Sequence, residues 1–389
     1  MIYNSNLFSL NTSLTVKQSL DKTASVFSIE NYCKELGISS VTGSVNKAKI
    51  FPINIMYFTN FVEFFSPKDF ITPEIKNRIN SKKAKLVLNH SHESTHLYSN
   101  PHYKKYWNNL LNKIISYGID LEQVVFVSGD TAIEDTFKKN NNNFNVLGID
   151  SFEFIYYYWG DHNIDTVKKY NLTKKLDFLF LNSIPREHRC VLKYILNKNN
   201  FLNQSMHSWL IGSRKPQFND IDRFIRESNL NIDASEVYNL CKLEIKIDCN
   251  AEDLRGQGKQ NKISNEWLKN TNFSLITETT YGPEVLFVTE KTYKTFLYGH
   301  PFMIYGNTNI LTYLKNVGYE TFPELFDETY DNISENYKIK KIIQNIETYK
   351  DRAAGKEKII LEKLAHNRNL FLTQPCRTKT REKLLTLFN

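Results

Sequence analysis

Apolar runs of strand length alternate with amphipathic stretches of helix length along most of this chain, and no other property narrows its possible folds as much. In the first half the runs are KIFPINIMYF (49–58), AKLVLNH (84–90), QVVFVSGD (123–130) and FNVLGID (144–150). Between the second and third lies HYKKYWNNLLNKIISYG, where Trp107, Leu110, Leu111, Ile114 and Ile115 recur at helical spacing and Gly118 supplies a stop. The polar, weakly periodic WGDHNIDTVKKYNLTKK (159–175) interrupts the pattern, which then restarts. LDFLFLN (176–182), SWLIG (208–212), FSLITET (273–279), EVLFVT (284–289) and HPFMIYG (300–306) follow. After about residue 335 the strands give way to a Lys/Glu-rich helical tail. The pattern predicts an α/β chain of two doubly wound domains, residues 1–165 and 170–335, with helices in 336–389 packing back across them.

Composition bounds what such a chain can do. Its 389 residues exceed the size at which single cores usually divide, and 41% hydrophobic with 24% charged residues is a globular balance. No run approaches the roughly 18 apolar residues of a membrane span, and MIYNSNLFSLNTSL lacks a basic segment followed by an apolar one. The five cysteines are odd in number, dispersed and free of C-x-x-C pairs, which points away from a disulfide framework or a cysteine zinc site. A cytoplasmic location is expected, the host's cytoplasm if the chain is viral. The net charge of +8 admits an anionic partner, a nucleic acid or a nucleotide diphosphate. KKNNNN (138–143) reads as an exposed loop, and no repeat of solenoid period is present.

The most informative stretch is TETTYGPEVLFVTEKTYKTFLYGHPFMIYGN (277–307). A strand VLFV ending at a Thr289 cap, a helix with Tyr293, Phe296 and Leu297 on one face, a stop at Gly299 and a strand after one His make a compact β-α-β unit. Its helix start falls at the carboxyl edge of the sheet, where free N–H groups and the helix dipole favour phosphate. Glu290 and Lys291 stand there. A carboxylate at that point can take both ribose hydroxyls and the neighbouring ammonium can neutralise a diphosphate. The plainer alternative is a carboxylate complementing the dipole beside a solvated lysine.

A strand, [VI]-T-E-K, a short helix, G-x-P-[FV] and a further strand resemble the nucleotide-sugar-binding segment of fucosyltransferase-type GT-B glycosyltransferases. They also resemble related glycosyltransferase sequences encoded by phages. The resemblance covers about residues 175–330 and implies two Rossmann-like domains of GT-B type with a UDP- or GDP-sugar as donor. It implies that Glu290 contacts the ribose, that Lys291 lies near the phosphates and that Glu278 is a second acid of the same site. T-E-T-T stands where the family has F-E-N-S, which bears on Glu278 and on the sugar. In KLDFLFLNSIPREHRCVLKYIL (175–196), Arg186 and Arg189 stand three apart at a helix start, with Ser183 as a possible cap and Pro185 just inside. Two guanidiniums there suit a departing diphosphate, ordinary surface ion pairs being the alternative. The pattern L-N-x-x-x-R-x-H-R is similar to one opening the donor domain in GT-B-like phage and exostosin-like proteins. No D-x-D lies between candidate strands, so the expected chemistry needs no metal and no other cofactor.

HESTH (92–96) spells the zinc-peptidase pattern H-E-x-x-H. That motif needs a helix, whereas LVLN before it reads as strand, Ser91, Ser94 and Thr95 are poor helix-interior residues, and Pro101 follows closely. In a GT-B enzyme a strand end of the first domain faces the acceptor, and inverting transfer needs one base for the acceptor hydroxyl. Glu93, with His90 and His92 beside it, is the candidate base and Asp130 the reserve. The acceptor reading leans toward a 5-hydroxymethylated pyrimidine in double-stranded DNA, with a glycan as alternative. HYKKYWNNLLNK and EDLRGQGKQNK (252–262) are the stretches that would track phosphates. A zinc peptidase and a non-catalytic nucleic-acid-binding protein are the readings from other classes.

Overall fold

A computed structural model describes residues 2–3, 29, 32–33, 36, 41–42, 45–55, 62–63, 65–93, 101–140, 142, 144–159, 174–211, 215–245, 263, 265–373 and 376–388. The chain forms two compact α/β units. One comprises residues 1–155, 284–287 and 375–389, the other 156–283 and 288–374. The described tail is thus divided, residues 336–373 grouping with the second unit and 376–388 with the first. The 160–173 part of the polar interruption and the 252–262 stretch lie outside the described residues.

The first unit is built on a six-stranded sheet, ordered β2-β1-β3-β4-β5-β6, whose paired strands all run parallel. Its strands are β1 (Ile2–Tyr3), β2 (Val41–Thr42), β3 (Ile50–Asn54), β4 (Lys85–His90), β5 (Val124–Ser128) and β6 (Asn145–Gly148). Helices α1 (Pro73–Asn80), α2 (Pro101–Ser116), α3 (Ile133–Lys139) and α4 (Ser151–Trp159) follow successive strands. Trp107, Leu110 and Ile114 of α2 are buried against Leu88, Phe126 and Phe137 as the helical spacing predicts, while Ile115 is 52% exposed. Gly118 adopts φ 78° just beyond α2, the left-handed stop read from the sequence.

The second unit carries a four-stranded parallel sheet in the order β10-β9-β7-β8: β7 (Leu176–Asn182), β8 (Ser205–Trp209), β9 (Thr271–Gly282) and β10 (Phe302–Asn307). Helices α5 (Glu187–Lys198), α6 (Phe218–Glu227), α7 (Ala234–Cys241), α8 (Asn265–Asn270), α9 (Glu290–Tyr298), α10 (Ile310–Asn316), α11 (Glu335–Ala353) and α12 (Glu357–Thr373) complete it. The last helix, α13 (Cys376–Leu385), buries Leu384 in the first unit with Ile50, Val87 and Val125. No helix among the described residues is long and apolar enough to cross a membrane.

Two sequence expectations are corrected. EVLFVT (284–289) is not a strand: the strand is β9, which runs on through the polar T-E-T-T to Gly282, and residues 283–289 form the loop into α9. Residues 284–287 of that loop group with the first unit, where Asp130 Oδ1 accepts from Leu286 N–H at 2.9 Å and Thr131 N–H donates to Leu286 O at 2.9 Å. The SWLIG strand is β8, displaced toward the N-terminus and ending at Trp209.

The second sheet reverses its winding between β7 and β9. From β7 the chain moves outward to β8, then returns to the other side of β7 for β9 and β10. Strands at such a reversal send their following loops to opposite faces and leave a crevice at their carboxyl ends, the usual ligand position in open α/β sheets.

Candidate nucleotide-binding site

Both donor constellations read from the sequence meet at this reversal. The ladder between β7 and β9 ends at the pair Leu179 and Ser274, so farther along β9 the carbonyls facing β7 take other partners. Arg189 supplies them. Its Nη2 donates to Thr277 O (3.1 Å) and Glu278 O (2.8 Å), its Nε to Glu278 O (3.3 Å) and its Nη1 to Ile184 O (3.1 Å). At 2% exposure Arg189 turns inward, which corrects the expectation of two guanidiniums projecting side by side from one helix face. Burial and then the nearby Arg186 charge pull its pKa down to about 10, which leaves it cationic at neutral pH. His188 is fully buried, and its Nε2 bonds the same carbonyl, Glu278 O, at 3.1 Å. Since a carbonyl only accepts, that nitrogen carries the proton. Burial, followed by the Arg189 charge, holds His188 neutral with its pKa well below the usual range.

Arg186 occupies the N-cap position of α5 with extended backbone, φ −79° and ψ 157°. Its Nε is buried and makes no hydrogen bond among the described residues. That Nε–H is donor capacity left at the carboxyl edge, and an anion is the partner that a buried cationic N–H calls for. Asn182, closing β7, accepts from Thr277 Oγ1 at 2.5 Å, while its own amide nitrogen is buried without a partner among the described residues.

On β9, Glu278 is fully buried. Its Oε1 accepts from Thr289 N–H (3.1 Å) and Thr292 Oγ1 (2.6 Å), and its Oε2 from Thr289 Oγ1 (2.5 Å). Thr289 holds the expected N-cap position of α9, yet its hydroxyl points to Glu278 and leaves the helix without a side-chain cap. The approach is close on β10 as well: a Cβ on Gly306 would stand 2.9 Å from Glu278 Cβ. Gly299 ends α9 at φ 62°, donating its N–H to Phe296 O.

Glu290 and Lys291 sit in the first turn of α9, partly exposed. Lys291 Nζ lies 3.2 Å from Glu290 Oε1, 2.9 Å from Thr289 Oγ1, 3.2 Å from Thr279 Oγ1 and 4.0 Å from Glu278 Oε2. For Glu290, burial would raise the pKa, but the Lys291 and Lys294 charges outweigh it and hold the group at about 2, so it is a carboxylate at any working pH. Lys294, one turn along α9, escaped the sequence reading. Burial lowers its pKa to about 8 against the opposing pull of Glu290. Its signal was the i,i+4 spacing from Glu290 in E-K-T-Y-K, which places the pair on one helix face.

The base candidates lie in the first unit. His90 ends β4 buried, with Nδ1 2.9 Å from Ile55 O, and burial followed by the His92 charge lowers its pKa to about 3. It is neutral and a poor proton acceptor. Residues 91–93 form a turn, not the helix that H-E-x-x-H requires, and Ser94 to His96 lie outside the described residues. Glu93 is half-buried, and its carbonyl accepts from Gly129 N–H at 3.1 Å. Asp130 is 2% exposed, its Oδ1 shared between Leu286 N–H (2.9 Å) and Ala132 N–H (3.0 Å), and burial raises its pKa to about 6 despite those bonds. Its geometry is that of a loop fastener.

No known protein-family profile and no curated relative matches the chain. Among solved structures it is similar to an alpha1,3-fucosyltransferase, with 11% identity and a TM-score of 0.41 over 100% of this chain and 88% of that one. It is also similar to the DNA-modifying enzyme beta-glucosyltransferase, with 12% identity and a TM-score of 0.34 over 100% of this chain and 97% of that one. A third is T4 phage BGT in complex with UDP and Mn²⁺, with 14% identity and a TM-score of 0.33 over 100% and 96%.

Proposed function

We propose that this protein is a glycosyltransferase that moves a sugar from a nucleotide diphosphate sugar, UDP- or GDP-linked, to an acceptor hydroxyl. The observation that carries the reading is the convergence, at the winding reversal of the second sheet, of Arg186 with its unpartnered Nε and the Glu290, Lys291 and Lys294 group at the start of α9. In this reading Glu290 takes the ribose hydroxyls. Arg186, Lys291 and Lys294 face the diphosphate, with the α9 N-terminus adding its dipole.

As the bond between the anomeric carbon and the diphosphate oxygen breaks, negative charge grows on the leaving group, and fixed cations stabilise it where other enzymes place a divalent metal. The reading therefore assigns no required metal. The incoming hydroxyl loses its proton to a carboxylate, for which Glu93 is the choice: His90 is too weakly basic, and Asp130 holds two backbone N–H groups. The preferred acceptor is a 5-hydroxymethylated pyrimidine in DNA. The net charge of +8 and the exposed Lys104 and Lys105 on α2 favour a polyanion over a neutral glycan. Such a base has to leave the stack to react.

The test is a thermal-shift titration with UDP and GDP, followed by a donor screen using hydroxymethylcytosine DNA against simple glycans as acceptors. A rise in Tm with a nucleotide diphosphate that Glu290→Ala abolishes supports the donor site, and no response to either nucleotide sinks it. Sugar incorporation into DNA alone supports the acceptor choice, and incorporation into glycan alone reverses it.

A further inference from the structure

We propose that Glu278 is a positioning residue that never touches the donor: it sets the α9 N-terminus, and thereby Glu290 and Lys291, through Thr289 and Thr292. The inference rests on the donor-site reading and departs from the resemblance, which makes Glu278 a second acid in contact with the site. Three observations carry it. The side chain is wholly buried and its carboxylate oxygens accept three donors, all from Thr289 and Thr292. Three N–H groups, from His188 Nε2, Arg189 Nε and Arg189 Nη2, converge on its main-chain oxygen from the other side. Gly306 then closes the space at its Cβ, where any larger residue would collide. Glu278 is thus gripped through both its backbone and its side chain.

The arrangement links the two helix starts. α5 delivers His188 and Arg189 to the Glu278 carbonyl, and the Glu278 carboxylate holds the two threonines of α9. Thr289 cannot cap its own helix while its hydroxyl serves Glu278, so the first-turn N–H groups of α9 are not covered by that side chain. A helix start fixed in direction, with its capping hydroxyl turned elsewhere, suits an anion.

Ribose contact and positioning leave different signatures. A residue that touches the ribose distinguishes a ribonucleotide from its 2′-deoxy counterpart, and its loss erases that ratio. A positioning residue weakens both ligands alike. Affinities of the full chain for GDP, UDP, dGDP and dUDP are measured by calorimetry for wild type, Glu278→Gln, Thr292→Val, Thr292→Ser and Glu290→Ala, with Tm recorded for each. Thr292 is fully buried and its hydroxyl donates to Glu278 Oε1, so Thr292→Val removes one of the three bonds on that carboxylate without removing a group that could reach a ligand.

The expected result is a loss of about tenfold for ribo- and deoxyribonucleotides alike in Glu278→Gln and Thr292→Val, recovery in Thr292→Ser, and erasure of the ratio only in Glu290→Ala. Erasure of the ratio by Glu278→Gln overturns the proposal. So does a Thr292→Val protein that has lost Tm but binds as tightly as wild type, since that is a merely structural role. If Glu278→Gln does not fold, the Thr292 pair decides alone. If wild type binds no nucleotide while folding normally, the donor-site reading fails, and this inference with it.

Discussion

The carboxyl edges of the two parallel sheets carry similar residue types put to opposite uses. At the second sheet, Glu290, Lys291 and Lys294 are held near one another partly exposed, and Arg186 keeps a buried N–H without a partner. At the first, His90 bonds Ile55 O, Asp130 bonds two backbone N–H groups and Ser151 Oγ donates to Ser91 O at 2.5 Å, so these polar groups are satisfied inside the fold. The topology supplies part of the reason. The second site sits at a reversal of winding, where β7 and β9 part and expose backbone that side chains must finish. In the first sheet, β4 and β5 are direct neighbours wound in one direction, and their ends close on each other. A titratable residue at a sheet edge is thus a functional candidate only after its hydrogen bonds have been counted.

The largest effect that sharpens this contrast is expected at Lys291. Lys291→Ala should raise the Kd for UDP or GDP about a hundredfold, since a charge-assisted contact to a diphosphate is lost from a partly desolvated site. Calorimetric titration measures it, and a change of threefold or less would mean that Lys291 only neutralises Glu290. Next comes Asp130, where the contrast predicts an effect on stability. Its pKa is about 6 in the folded chain against an ordinary value of 3.8, so its contribution is full below 3.8 and is lost as pH rises through about 6. Asp130→Asn keeps an oxygen for Leu286 and Ala132 but cannot ionise. Denaturant unfolding of the two proteins from pH 4 to 7 should therefore show the variant gaining on wild type by up to roughly 3 kcal/mol. The comparison isolates Asp130 from His90, whose lowered pKa acts in the opposite direction, costing stability as pH falls.

What was legible in the sequence follows the same division. The alternation of strands and helices, the stops at Gly118 and Gly299 and the positions of Glu290 and Lys291 were readable because each rests on local periodicity or on one residue's backbone preference. EVLFVT misled for a physical reason: a short apolar run buries its side chains whether or not a ladder forms, and Val285, Phe287 and Val288 are buried here without one. β9 itself was foreseen over 273–279, but its continuation to Gly282 was not, because the polar groups of T-E-T-T become acceptable inside only through partners remote in sequence, Arg189, Thr289 and Asn182. The two-residue strands β1 and β2 are too short to leave a pattern. The inward turn of Arg189 and the grip on Glu278 depend on where the β7–β9 ladder stops, which no single segment encodes.

Two smaller effects test the edges of the comparison. Lys294 has a pKa of about 8, so its charge is present below that value and fades above it. Nucleotide affinity should then fall about tenfold between pH 7 and pH 9 in wild type, and Lys294→Arg, which stays cationic, should hold it level. A flat wild-type profile would remove Lys294 from the diphosphate site. The smallest effect concerns the first unit's outer face. If Lys104 and Lys105 of α2 neutralise DNA phosphates, the double substitution to Ala weakens binding to any duplex a few-fold at moderate salt. It also lowers the slope of log affinity against log salt by about 2, one for each lost phosphate contact. Filter binding at several salt concentrations measures that slope. An unchanged slope would show that the first unit's positive charge lies away from the acceptor, leaving a neutral glycan as the better match to a sheet edge whose polar groups bond inward.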